Sequence, residues 1–190
     1  MHIYGLNKLT LLDYPEHLAA TVFVGGCNLL CPFCQNASLV IRPGTQIEIP
    51  VDEVMEYLNK RKGTLEGICI TGGEPTIYDD LPEFIKSIKE LGYEVKLDTN
   101  GTNPDMLKTL VRAGLLDYVA MDIKNSRSKY ALTAGISNPG ISRIEESVSF
   151  LLESNLDYEF RTTVVKEYHD KDDMLSIAGW ILDAKAYYLQ

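Results

Sequence analysis

A chain of 190 residues, 45% apolar and 24% charged, has the make-up of an ordinary soluble globular domain. Its 18 basic against 27 acidic residues, a net charge of −9, exclude an electrostatic footprint for nucleic acid and leave little attraction to an anionic membrane surface. No apolar run approaches the length of a membrane span and the opening MHIYGLNKLT lacks the apolar core of a signal peptide, so a cytoplasmic protein is expected.

The first seventeen residues fit no alternating pattern; IYGLNKLTLLDYP reads as a short hairpin or extended arm over one edge or end of the body. From residue 18 onward, short β-rich runs alternate with helical patterns. LAATVFVGG (18–26) is a strand that ends in a tight turn, and 52–62 is a helix with Val51, Val54, Met55 and Leu58 on one face. GICITGG (67–73) is a second strand, and DLPEFIKSIKELG (80–92) a helix with a glycine stop. YEVKLDTNG (93–101) is a third strand, followed by a helix over 104–113 that Pro104 opens and Gly114 follows. LDYVAMDIK (116–124) is a fourth strand and 142–154 a helix; YEFRTTVV (158–165) is a fifth strand and 171–184 a helix around Trp180. AYYLQ (186–190) completes the series as a sixth strand. No repeat, low-complexity segment or composition break interrupts it, so one domain over 1–190 is expected, with 1–17 as an N-terminal extension. Strands alternating with helices predict βαβ units and a parallel sheet. The fold class expected is therefore α/β, a partial (β/α)6 barrel of parallel strands with a short N-terminal hairpin or arm. Ligands of parallel α/β folds sit at the carboxyl ends of the strands, so each functional motif should fall just after a strand.

CNLLCPFC puts Cys27, Cys31 and Cys34 directly after the first strand, while Cys69 stands alone in GICI. That distribution is not a disulfide framework. A four-iron cluster takes four ligands, usually thiolates. One loop supplying three leaves an iron open, much as a catalytic zinc keeps one position for its substrate. An open iron can chelate an amino group and a carboxylate together. Phe33, just before Cys34, places a ring where adenine could pack. The residues alone also allow a structural zinc site or thiols packed as small hydrophobes. Zinc sites usually need a second cysteine or histidine pair, and His2, His17 and His169 are not grouped. Cys69, inside an apolar run, reads as a buried inert thiol.

ITGGEPTIY (70–78) follows the second strand. Gly72 and Gly73 lack Cβ atoms, so their backbone could approach a small zwitterion, and Glu74 and Pro75 fix the turn into the next helix. LDTNG (97–101) ends the third strand, and although Asn-Gly is a hairpin signal, the segment after it reads as a helix opened by Pro104. MDIKN (121–125) ends the fourth strand in the same way. Asp98, Thr99 and Asp122 could therefore converge with Lys124 at one end of the sheet. Carboxylates and a hydroxyl suit a hard cation, and an ammonium suits a carboxylate ligand. An acidic pair with neither nearby would repel itself.

The cysteine spacing, with the motifs in this order, resembles the signature of the radical S-adenosylmethionine superfamily, whose members fold as partial or full (β/α) barrels. The resemblance implies that Cys27, Cys31 and Cys34 hold a [4Fe–4S] cluster that binds and cleaves S-adenosylmethionine, and that Gly72, Gly73, Glu74 and Pro75 form the GGEP motif at the cofactor's amino group. LDTNG and MDIK further resemble the glycyl radical enzyme activases. By that likeness Asp98, Thr99 and Asp122 help bind a monovalent cation, Lys124 contacts the cofactor's carboxylate, and Asn100 and the fifth-strand Arg161 lie near the cofactor. The stretch GLNKLTLLDYPEHLAATVFVGGCNLLCPFCQN is most similar to the anaerobic ribonucleoside-triphosphate reductase activating proteins, in their longer, pyruvate formate-lyase-activase-like branch. Chains of that branch usually continue past the sixth strand, whereas this sequence stops at AYYLQ. The resemblance implies reductive cleavage of S-adenosylmethionine, with flavodoxin or ferredoxin as reductant, and hydrogen-atom removal from a backbone glycine of a partner glycyl radical enzyme. A pyruvate formate-lyase-type activase, or a radical enzyme acting on a small molecule like the 7-carboxy-7-deazaguanine synthases, is the alternative.

Overall fold

A computed structural model describes residues 1–42 and 45–190. Seven strands form one sheet in chain order: β1 (Ile3–Thr10), β2 (Ala19–Val24), β3 (Gly67–Gly72), β4 (Glu94–Thr99), β5 (Tyr118–Asp122), β6 (Asp157–Thr162) and β7 (Tyr187–Leu189). β2 to β7 run parallel, and β1 adds antiparallel to β2. Each parallel strand lies beside the strand that precedes it in sequence, the winding of a (β/α) barrel. No pairing between β1 and β7 is found among the described residues, and the sheet is open there. The expected arm is thus a full edge strand. The segment after it returns under the sheet, where the buried Tyr14 ring fills the space beside Gly67 and stacks on His17, with ring centroids 4.1 Å apart.

Helices α2 (Val51–Lys60), α3 (Leu81–Glu90), α4 (Pro104–Arg112), α6 (Ile141–Leu152) and α7 (Lys171–Trp180) occupy the crossovers where periodicity places them. Two short helices have no counterpart in the sequence reading, α1 (Ala37–Ile41) and α5 (Tyr130–Ala134). Five residues are too few to show a helical period. The longer helices begin on local signals. The Asn103 side chain accepts from the Met106 N–H ahead of Pro104, and Asp170 and Asp173 form a reciprocal capping box on α7.

Alternation in the strands sorts the sheet into two faces. Val22, Ile70, Leu97, Met121 and Phe160 point outward and join the buried faces of the helices, such as Phe84, Ile85 and Ile88 of α3, in one apolar core. The other face carries Thr21, Cys69, Lys96 and Tyr118 in one register row, with Asp98, Glu159 and Arg161 above them. Among the described residues, no helix is long and apolar enough to cross a membrane.

Candidate functional site

The polar face opens at the carboxyl ends of the strands into a cavity of about 310 Å³. Its walls bring together Cys27, Phe33, Cys31 and Cys34 from the loop after β2, Gly72, Gly73 and Glu74 after β3, and Asp98, Thr99 and Asn100 after β4. Asp122 and Lys124 of β5 and the following loop, and Arg161 of β6, complete them. Of the residues singled out from sequence, only Pro75 stays off the wall; it is buried at the start of a 3-10 turn, Pro75–Ile77.

The cysteine loop is held from three sides. Leu30 N–H donates to the Ala134 carbonyl at 2.9 Å, and Gly135 beyond it leaves no room for a side chain: a Cβ there would stand 1.9 Å from the Leu30 carbonyl oxygen. Asn28 Nδ2 donates to Thr102 Oγ1 at 2.7 Å, and Asn100 Nδ2 donates to Asn28 Oδ1 at 2.9 Å. Asn36 Nδ2 reaches the Gly72 carbonyl at 2.9 Å. Cys27 Sγ accepts from the Leu29 N–H at 3.4 Å and faces Asn100 Nδ2 at 3.8 Å. Donors of this kind tune the potential of an iron–sulfur centre. Burial pushes the Cys27 thiol up to about 11 and raises Cys31 as well, so ligation by these sulfurs displaces protons.

The chemistry of this donor set fits a cluster. Three thiols from one loop share a wall with hydrogen-bond donors, and Cys69 is fully buried away from them. A single zinc ion needs its sulfurs within about 3.8 Å of one another, from Zn–S bonds of about 2.3 Å. Among the described residues no group of three cysteine, histidine or acidic side chains is placed to hold a single metal ion.

The glycines of GGEP also have a packing role that the sequence does not show. A Cβ on Gly73 would lie 1.7 Å from the Gly26 carbonyl oxygen, and one on Gly72 would lie 2.4 Å from that of Val24. Their bareness lets the β3 loop press backbone against backbone on the turn that launches the cysteine loop, where Glu74 N–H donates to the Gly26 carbonyl at 2.9 Å. Glu74 is 1% exposed and works as a clamp. Its Oε1 accepts from Thr76 N–H, Thr76 Oγ1 and Thr99 Oγ1, and its Oε2 from Asn100 N–H at 2.6 Å. Burial pushes its carboxyl up and the four donors oppose that. Thr99 therefore gives its hydroxyl to Glu74, not to the aspartates.

A chain of alternating charges starts at Lys96, behind the cavity wall, and crosses the cavity floor. Lys96 Nζ donates to Asp98 Oδ1 at 2.5 Å, Arg161 Nη1 to Asp98 Oδ2 at 3.2 Å, Arg161 Nε to Asp122 Oδ1 at 3.0 Å, and Lys124 Nζ to Asp122 Oδ2 at 2.9 Å. Burial disfavours the Asp122 carboxylate, but Lys124 and Arg161 more than offset it and hold Asp122 at about 2. Phe33 packs on Tyr168 from the loop after β6, ring centroids 5.6 Å apart. Tyr168 and His169 brace this end: His169 Nε2 meets the Lys124 carbonyl at 2.9 Å, and Asn125 Nδ2 donates to the Tyr168 carbonyl at 2.9 Å. The sequence does not single out Lys96, Asn28 and Gly135, which act from behind the wall, or Asp13 and Gln190, which line the cavity. The signal for Lys96 was present in VKLDT, where Lys96 and Asp98 share a strand face.

The model of the Radical SAM superfamily matches residues 21–179. A Methanocaldococcus jannaschii protein named as a glycyl-radical enzyme activating enzyme is 32% identical over 194 residues, covering 99% of this chain and 78% of its own. The 7-carboxy-7-deazaguanine synthase of Thermoplasma acidophilum is 26% identical over 84% of this chain and 72% of its own. Among solved structures, Streptococcus suis SuiB bound to precursor peptide SuiA shares the fold, with a TM-score of 0.70 at 18% identity over 94% of this chain. This chain spans 39% of the SuiB chain. By the family model and the near full-length relative, the chain belongs to the radical SAM superfamily, whose members bind a [4Fe–4S] cluster and S-adenosylmethionine.

Proposed function

We propose that this chain is an activating enzyme that installs a glycyl radical on a partner glycyl radical enzyme, with anaerobic ribonucleoside-triphosphate reductase as the first partner to test. The observation that carries the reading is the shared cavity: one wall is the cysteine loop, and the opposite wall is the charged ends of β4, β5 and β6. The Methanocaldococcus relative supports the activating class, at near full coverage of this chain.

Cys27, Cys31 and Cys34 would hold the cluster and leave its fourth iron to the methionine end of S-adenosylmethionine. When bound, the two groups supply the one-electron chemistry that removes a hydrogen atom from a backbone glycine, with flavodoxin or ferredoxin as the electron source. The chain's residues orient and shield. Lys124, fixed by Asp122, offers an ammonium to a carboxylate; the Gly72–Glu74 turn offers backbone groups to an amino group; Phe33, backed by Tyr168, offers a ring to adenine. Glu74, Asn100 and Asn28 lock the cysteine loop to the cofactor side, so the two halves of the site keep a fixed spacing.

The test is to reconstitute the cluster anaerobically, reduce it, mix the protein with S-adenosylmethionine and candidate partners, and record electron paramagnetic resonance. A glycyl radical signal on a partner is the expected result. Cleavage of S-adenosylmethionine with no signal on any glycyl radical enzyme, but formation of a 7-deazaguanine product, would favour the synthase-like reading that the Thermoplasma relative suggests.

A further inference from the structure

The resemblance to glycyl radical enzyme activases implies a monovalent cation beside Asp98, Thr99 and Asp122. The side chains present here do not fit it. All four carboxylate oxygens of the aspartates already accept a hydrogen bond from a cationic nitrogen at 3.2 Å or less, two of them from Arg161, one from Lys96 and one from Lys124. The Thr99 hydroxyl donates to Glu74 at 2.8 Å and accepts from the Gly101 N–H at 3.1 Å. A metal cation placed on any of the four aspartate oxygens would meet a like charge at close range, and the Lys96 member of that set is only 2% exposed.

Lys96 is the distinctive member. A buried ammonium is tolerated only when paired, and its partner is the Asp98 oxygen that would otherwise face a cation; the Cys69 sulfur, 3.9 Å away, is a weak second contact. Arg161 then lies between Asp98 and Asp122, the position of a bridging ion, and Glu159 Oε1 balances it from 3.9 Å.

We propose that Arg161 on the cavity wall, and Lys96 behind it through Asp98, are the resident cations of this site, and that the chain takes no monovalent metal ion beside Asp98, Thr99 and Asp122. Lys96 is then a positioning residue, acting through Asp98 on the arginine. The inference rests on the reading of this cavity as the cofactor site, and it extends that reading by removing a cofactor from it.

Two measurements on the reconstituted protein test it. Thallium(I) resonance, read without S-adenosylmethionine, should show no saturable site in the wild type at millimolar concentration, whereas Lys96→Met should show one. Affinity for S-adenosylmethionine, measured with potassium, sodium or N-methylglucamine as the sole cation at fixed ionic strength, should be unchanged across the three for the wild type. For Lys96→Met it should fall about tenfold in N-methylglucamine, on the scale of lost outer-sphere support. Lys96→Arg keeps the charge and should behave as the wild type. A saturable thallium site in the wild type, or wild-type affinity that needs potassium or sodium, overturns the proposal. So does a folded Lys96→Met that stays silent to thallium and indifferent to the salt. Should Lys96→Met fail to fold, the wild-type thallium titration decides alone. Wild-type protein that binds no S-adenosylmethionine in any salt defeats the functional reading instead, and the thallium result still judges the inference.

Discussion

The two faces of the sheet obey opposite rules. Outward, Ile68, Ile70, Val95, Leu97, Val119 and Met121 are fully buried against helices. Inward, one residue along on the same strands, stand Cys69, Lys96, Asp98, Tyr118 and Asp122, and then Glu159 and Arg161 of β6. A closed eight-stranded barrel fills its interior with layers of branched apolar side chains. This sheet stays open, and its interior holds a cavity with a charged floor. On the proposed reading the outward face makes the fold and the inward face the chemistry, so substitutions one residue apart should fail in different ways.

The widest separation is expected between two cysteines. Cys31→Ala removes a proposed cluster ligand and should abolish iron binding, the brown colour and S-adenosylmethionine cleavage together. Cys69→Ala, on the same inward face but in the row below the site, should keep all three. Iron analysis and a cleavage assay on both variants check this; full cleavage by Cys31→Ala would overturn the ligand assignment. Gly73→Ala comes next. It contacts no proposed ligand through a side chain, yet its Cβ would collide with the Gly26 carbonyl oxygen. The β3 turn and the cysteine loop cannot both keep their places, so cluster loading should fall to a small fraction of wild type while far-ultraviolet circular dichroism is retained. Normal loading would show that the backbone contact is dispensable.

How far this division was legible in the sequence follows from where its signals lie. The outward face was readable because apolar runs such as GICI and helices such as α3 carry their own period. The cysteine loop and the GGEP turn were readable because they are contiguous. Residues that act across the fold were not. Gly135 packs on Leu30 from more than one hundred positions away, and Asn28 meets Asn100 and Thr102 only once β2 and β4 are in one sheet. Even Glu74, found by its motif, was given a turn-fixing role without its clamp on β4. The inward charges could have been seen: VKLDT and YEFRT each put two charged residues on one strand face, a pattern that an outward, helix-covered face cannot carry.

The outward face supplies the contrast in stability. Ile70 is completely buried between the sheet and its covering helices. Ile70→Ala should cost about 2–5 kcal/mol of unfolding free energy, the usual range for a large-to-small change in a packed core. Affinity for S-adenosylmethionine should change little in the fraction that remains folded. A urea titration alongside a binding measurement separates the two, and a stability loss well under that range would mean the core collapses around the gap.

The smallest effect is expected away from the cavity, at Asp173. Its Oδ1 accepts from Ser126 Oγ at 2.7 Å, and its Oδ2 from Lys129 Nζ at 2.6 Å and the Asp170 N–H at 3.0 Å, so one carboxylate ties α7 to the segment after β5. Burial opposes its charge, yet Lys129, the Asp170 amide and Ser126 together hold it well below the ordinary carboxylate value. A carboxyl depressed in the folded state stabilises the fold fully above its unfolded value, about 3.9, and that contribution is lost as pH falls below it. Asp173→Asn should therefore be less stable than wild type by about 1 kcal/mol at neutral pH, the typical worth of a capping side chain. The gap should narrow as the pH is lowered toward 3. Trp180, the single tryptophan, lies in α7 with the Arg127 guanidinium 4.3 Å from its ring, so its fluorescence in urea reports on this helix. A difference between the two proteins that stays constant from pH 7 to pH 3 would mean that the contribution of Asp173 does not depend on its charge.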